Sequence, residues 1–158
     1  MNDELRGLLA AIDEAYDRRS WHGTNLRGSL RGVTPEEALR RPGMGRHNIW
    51  EIALHAAYWK YTVRRRILGE KRGSFILKGS NWFRSPSRPD PEAWIGALAL
   101  LETIHRSMRA AIEGLDNRQL RGNVPGSRFR MGFLLRGIAA HDIYHAGQIQ
   151  LIKRLHRR

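Results

Sequence analysis

The sequence predicts an all-α protein, a four-helix bundle with a long loop between its second and third helices. Three observations predict it. Four stretches of about twenty residues carry apolar side chains at spacings of three and four, the period of an amphipathic helix. Cap residues and glycines bracket most of those stretches. No segment shows the period-two alternation of a strand, and at 158 residues the chain is expected to form one domain over 1–158.

In the first helix, Asn2 or Asp3 serves as the cap, and Leu5, Leu8, Leu9, Ile12, Ala15 and Tyr16 form an apolar face running to about Ser20. Trp21, His22 and Gly23 mark a break, after which helix resumes through Leu30 and ends at Gly32. Thr34-Pro35-Glu36-Glu37 starts a short helix to about Arg40, with a threonine cap, a proline in the first turn and Glu37 placed for a capping box. Pro42 to Gly45 reads as a loop. Asn48 then caps the second long helix, which runs to Leu68, closes on Gly69, and turns Ile49, Ile52, Ala53, Ala56, Trp59, Val63 and Ile67 inward.

Between Gly69 and Pro89 the composition shifts to glycine, serine, proline and lysine, with Phe75, Ile76, Trp82 and Phe83 embedded. Aromatic residues in so long a loop predict a segment folded over the bundle, placed to act as a lid. Asp90-Pro91-Glu92 starts the third long helix, in which Trp94, Ile95, Leu98, Leu101, Ile104, Met108 and Ile112 lead to Gly114. Asn117 to Gly126 reads as a loop, and Ser127 as the cap of the last helix. That helix ends in Lys153, Arg154, His156, Arg157 and Arg158, cations that suit a C-terminus.

Composition narrows the chemistry. With no cysteine, the chain has no disulfide, thiolate metal site or cysteine nucleophile, so a ligand set must be nitrogen and oxygen, suited to zinc, nickel, iron or manganese. The N-terminus carries acids where a secretory leader carries bases, and no run approaches a membrane span, so the expectation is a cytoplasmic protein without membrane contact. The balance of 28 basic against 15 acidic residues gives +13. The arginines are spread through every segment without interleaved aromatics, which predicts a solvated basic surface; attraction of anionic substrates or nucleic acid is the alternative.

The last helix carries the most informative pattern. Leu134, Ile138, His141, His145, Gln148, Ile152 and Leu155 form one seam, apolar at both ends and polar at its centre. Buried imidazoles need partners, because an unpaired polar group costs about 1–3 kcal/mol. Histidines at i and i+4 sit one turn apart and about 40° apart around the helix, so His141 and His145 can reach one ion. The other reading is a pair of core histidines hydrogen-bonded to side chains or water. His55 lies against the apolar face of the second long helix, about midway along it as His141 and His145 are along theirs, so facing positions bring three imidazoles to one point. Such a set leaves coordination positions open, as catalytic sites do.

Gln148 is placed to orient a water or a ligand ring. Glu51 is open between an oxygen ligand or outer acceptor and an exposed residue of a helix start, the last being the expectation. His22 and His105 are read as structural, Asp142 and Tyr144 as packing or subunit-contact residues, and spacing assigns no catalytic residue.

The second-helix segment HNIWEIALHAAYWKYTVRRRILG paired with AAHDIYHAGQIQLIKRL in the last helix resembles the DinB/YfiT-like superfamily of metalloenzymes. The resemblance covers the chain from about Trp21-His22 onward and is most specific at HDIYHAGQI. It implies a four-helix bundle, commonly a homodimer, with a metal held by His55, His141 and His145. Some members are thiol-dependent transferases or isomerases. The expected function is therefore a metal-dependent enzyme acting on a small-molecule substrate, with the ion activating water or a low-molecular-weight thiol. The alternative is a non-catalytic protein that binds nucleic acid through its basic surface.

Overall fold

The computed structural model describes residues 3–157. Asn2, offered as a cap, and Arg158, one of the terminal cations, lie outside the described residues. Among the described residues seven helices follow one another: α1 (Asp3–Tyr16), α2 (Leu26–Leu30), α3 (Pro35–Leu39), α4 (Ile49–Leu68), α5 (Pro91–Glu113), α6 (Asn117–Arg121) and α7 (Met131–His156). No strand occurs among the described residues, apart from one isolated antiparallel bridge, Asn123 to Arg130.

The caps explain most of the boundaries. Thr34 and Glu37 form the capping box of α3, Asn48 accepts from the Glu51 amide to start α4, and Asp90 accepts from the Ala93 amide to start α5. Gly69 ends α4 in the left-handed conformation that glycine takes without penalty (φ 68°).

Three boundaries differ from those the sequence predicts. Helix α1 stops at Tyr16 and not near Ser20, because the Asp17 and Arg18 amides both turn back to the Asp13 carbonyl. Residues 117–126 are not all loop, since Asp116 and Gln119 build a capping box that starts α6. Ser127 does not cap the last helix. Its hydroxyl accepts from the Phe129 amide in a turn, and α7 begins at Met131 after the Asn123–Arg130 bridge.

Helix α4 packs chiefly on α5 and also on α7, while α1 packs on α7 and α5. The short helices fill the remaining gaps. Lys153 of α7 donates to the carbonyls of Ser29 and Arg31, satisfying acceptors that the end of α2 leaves free. The Trp94 indole donates to the Val33 carbonyl, which fixes the turn before α3 to α5.

Two apolar clusters make the core. One centres on Ile49, Ile52, Ala56, Trp94, Leu101 and Ile149, the other on Leu9, Ile12, Met108, Ile112, Met131 and Leu135. A buried polar layer lies between them in sequence on three long helices, with Lys60 on α4, His105 on α5, and Asp142 with His145 on α7, and Tyr16 at the end of α1 packs against it. Lys60 and Asp142 form an ion pair with both side chains at most 1% exposed, and the Lys60 ammonium also sits 4.9 Å from the centroid of the Tyr16 ring. The Tyr16 ring stacks on His105 at 3.5 Å and its hydroxyl donates to Glu102.

The structural reading of His105 holds, whereas His22 is exposed. Burial, and then the charges of Lys60, Arg109 and Arg106, push the His105 imidazole down to about 2. Its folded pKa therefore lies below the unfolded value of about 6.5, so the unfolded chain takes up the proton first. The stability that this neutral ring contributes is complete above about pH 6.5 and is lost as pH falls toward 2. Between pH 8 and pH 5 the loss expected from this residue is about 2 kcal/mol. Denaturant titration of metal-free protein at the two pH values should show His105→Phe flattening the slope by that amount; identical slopes would contradict it.

Candidate metal centre

Helix α4 supplies His55, one turn after Glu51 and one turn before Trp59, on a face that is buried almost all round in its first half. Helix α7 supplies His141 and His145. His55 and His145 are buried and His141 is partly buried. The three side chains meet at their Nε2 atoms, 3.1 Å from His55 to His141 and 3.1 Å from His145 to His141. One ligand atom from each lies within 4.8 Å of the others.

The far side of two rings is fixed by an acceptor. His55 Nδ1 donates to the Asn81 carbonyl at 2.7 Å, and His145 Nδ1 donates to Gln148 Oε1 at 2.7 Å. A carbonyl accepts only, so each neutral ring carries its proton on Nδ1 and turns a bare Nε2 lone pair toward His141. His141 Nε2 has at most one proton to offer to two acceptors. One lone pair is left unsatisfied whichever way that proton points.

Burial is the largest cause that keeps the rings neutral. It pushes His55 down to about 4 against the opposing bond to Asn81, pushes His141 down to about 3 with help from the neighbouring imidazoles, and lowers His145. Neutral imidazole is the form that binds a metal. Two nitrogens about 2.0–2.1 Å from one ion stand about 2.9 Å apart at a right angle and about 3.4 Å apart at the tetrahedral angle. The observed 3.1 Å falls between these values. The donor set, its protonation and two of its three spacings therefore fit a divalent transition metal, and the His55–His145 pair, within 4.8 Å, has to close to at most about 4.2 Å around one ion. His141 Nδ1, buried without a hydrogen-bond partner, is the one Nδ1 of the three that no protein acceptor fixes.

The segment between α4 and α5 closes over the cluster. Asn81 adopts a left-handed backbone (φ 67°), a conformation that asparagine tolerates better than most residues, and presents its carbonyl to His55. Its side-chain oxygen accepts from the Trp59 indole. The Trp82 indole lies between two imidazoles, 3.8 Å from His55 and 3.6 Å from His47, nearly parallel to both. Phe75, Leu77, Trp82 and Phe83 pack on the core, while Ile76 is exposed. All three aromatic residues of the loop thus hold it against the helices, as the sequence predicts.

The sequence-predicted residues separate clearly. His55, His141 and His145 come together, and Gln148 orients the His145 ring. Glu51 is not an exposed helix-start residue and does not belong to the histidine group. It is buried, and both carboxylate oxygens are engaged by Arg41 and His47. Burial alone would raise its pKa, but those hydrogen bonds outweigh it and hold the carboxyl below its usual range. Through His47 this carboxylate supports the ring stacked on Trp82.

Leu155 departs from the predicted seam and is exposed. The buried stripe of α7 runs instead through Leu135, Ile138, Asp142, His145, Ile149 and Ile152. Asp142 therefore faces inward, to Lys60, whereas Tyr144 is exposed. The sequence pointed to none of Asn81, His47 and Lys60, and marked Trp82 only as one aromatic of a loop folded over the helices. Only Lys60 carried a local signal, four residues after Ala56 and three before Val63 on the buried face.

No curated protein and no solved structure matches this chain. The profile of the DinB superfamily matches residues 4–149, which include all seven helices up to the last two turns of α7 and all three histidines. The chain belongs to the DinB superfamily.

Proposed function

We propose that this protein is a metal-dependent enzyme in which His55, His141 and His145 hold one divalent ion, zinc, nickel, iron or manganese. The observation that carries the reading is the convergence of three neutral imidazoles on one point with two Nδ1 atoms already fixed. When bound, such an ion supplies Lewis acidity that lowers the pKa of a coordinated water or thiol toward neutrality. The chain's own residues do the rest. Asn81 and Gln148 hold two rings in the metal-binding tautomer, and Trp82 covers one face of His55. Buried Lys60 and Asp142 brace the helix turn that carries His141.

The reaction class is hydrolysis or transfer to a low-molecular-weight thiol, in a cytoplasmic protein. The four long helices are proposed to form a four-helix bundle, since the contacts of α4 with α5 and α7, and of α1 with the same two, close a ring. The bundle is proposed to dimerise through α7. Phe133, Tyr144, Leu151 and Leu155 recur at spacings of eleven, seven and four on that helix and are all exposed. A monomer mass in sedimentation equilibrium would remove the dimer.

The test of the enzyme is turnover. Protein loaded separately with each of the four metals is assayed against ester substrates and against thiols paired with an alkylating agent, whose alkyl group passes to the thiol sulfur as its leaving group departs. Metal-dependent product formation that His55→Ala abolishes supports the reading, and no turnover with any ion removes it.

A further inference from the structure

Beside the histidine cluster, on the far side of Trp59, lies a groove of about 370 Å³ between the second half of α4 and residues 72–80. It adjoins a second cavity of about 300 Å³ that reaches residues 125–127, and Arg65, Arg66 and Arg72 line both. Lys78 adds a fourth cation. Glu70 is the one acid among the described residues lining either cavity, and both of its carboxylate oxygens are bound by Arg64 at 3.0 Å. Among the described residues, Arg66, Arg72 and Lys78 have no acidic partner, the nearby Glu70 being held by Arg64. The groove therefore carries uncompensated positive charge, unlike the arginines of α5, which pair with Asp13, Glu102 and Glu113.

Its walls are not those of a solvated charge patch. Tyr58, Trp59 and Phe75 supply aromatic surface, and Thr62, 6% exposed, lines the groove with its hydroxyl lacking any hydrogen-bond partner. Guanidinium groups bind carboxylate and phosphate through paired donors, and a cavity of this size takes a small molecule. The opposite wall includes Gly79 and Ser80, and the next residue, Asn81, holds both His55 and Trp59. A ligand here touches the segment that orients a metal-binding ring.

We infer that this groove binds an organic dianion, a phosphate monoester or a dicarboxylate on an aromatic or apolar body, and that it is the anion-recognition part of the substrate site. The inference deepens the enzyme reading by naming its substrate class. The test uses metal-free protein, so that no probe gains affinity from an ion, and the metal content of reloaded protein is measured separately.

Calorimetric titration with phenyl phosphate, with phthalate and with neutral benzyl alcohol is expected to show binding of at least one dianion and none of the alcohol. The phosphate and phthalate arms tell which anion is preferred. Arg66→Glu/Arg72→Glu should weaken that binding at least tenfold. Arg118→Glu/Arg154→Glu, which removes the same charge from exposed positions that do not line the groove, should change it less than twofold. Equal weakening by both pairs, or no binding of either dianion, overturns the inference. So does a single-stranded oligonucleotide that binds more tightly than both dianions and is weakened equally by both pairs. If dianions bind but reloaded protein takes up no metal, the groove stands and the metal reading fails; one equivalent of metal without dianion binding gives the reverse.

Discussion

His145→Ala is expected to lower the affinity for a divalent transition metal by at least about 100-fold while the helices remain folded. Changing even an outer partner of a ligand costs about 10–100-fold, and this substitution removes a proposed ligand itself. It also strands Gln148, whose side-chain oxygen accepts from that ring. The fold should survive because Ile149, Ala146 and Ile152 around His145 belong to an apolar stripe that does not depend on the imidazole. Far-ultraviolet circular dichroism and a competition titration with a chromogenic chelator read the two halves of this result. Unchanged metal affinity in a folded variant would show that His145 is not a ligand.

The largest stability effect is expected at Lys60. Replacing it with methionine leaves the Asp142 carboxylate buried without its counter-ion, and losing one partner of a buried pair costs about 3–5 kcal/mol. For a chain of this length that corresponds to a fall in Tm of about 6–20 °C. Asp142 already has one buried oxygen without a hydrogen-bond partner, so nothing nearby can replace the ammonium. Burial raises the Asp142 pKa and lowers that of Lys60, and their attraction opposes both shifts. The double variant Lys60→Met/Asp142→Leu should recover most of the loss, because burying a charge pair is costly even when the pair is well made. A double variant as unstable as Lys60→Met alone would contradict this account of the layer.

What was legible in the sequence was whatever repeats locally. The caps at Thr34, Asn48 and Asp90 and the stop at Gly69 set boundaries that the structure shares, because each acts within about one turn of its helix. His141 and His145 were legible because their spacing on one helix fixes their relation. His55 was legible because it interrupts an apolar face at a similar depth. Lys60 and Asp142 were not, since a charged residue on a helix reads as solvated until its partner on another helix is known. Leu155 shows the converse: its period is right, but the last turns of α7 extend past the layer that would cover it. Asn81 and Trp82 were beyond reach for a different reason. No periodic rule locates a loop residue, and their roles depend on a left-handed turn placing a carbonyl and an indole on His55.

Three imidazoles on α4 and α7 are proposed to hold one ion. Elemental analysis by mass spectrometry on tag-free protein, as purified and after incubation with zinc, nickel, iron and manganese followed by desalting, tests it most directly. About one equivalent of a transition metal per chain is expected in at least one of those samples. No metal retained from any of them would contradict it, and the cluster would then be a hydrogen-bonded core.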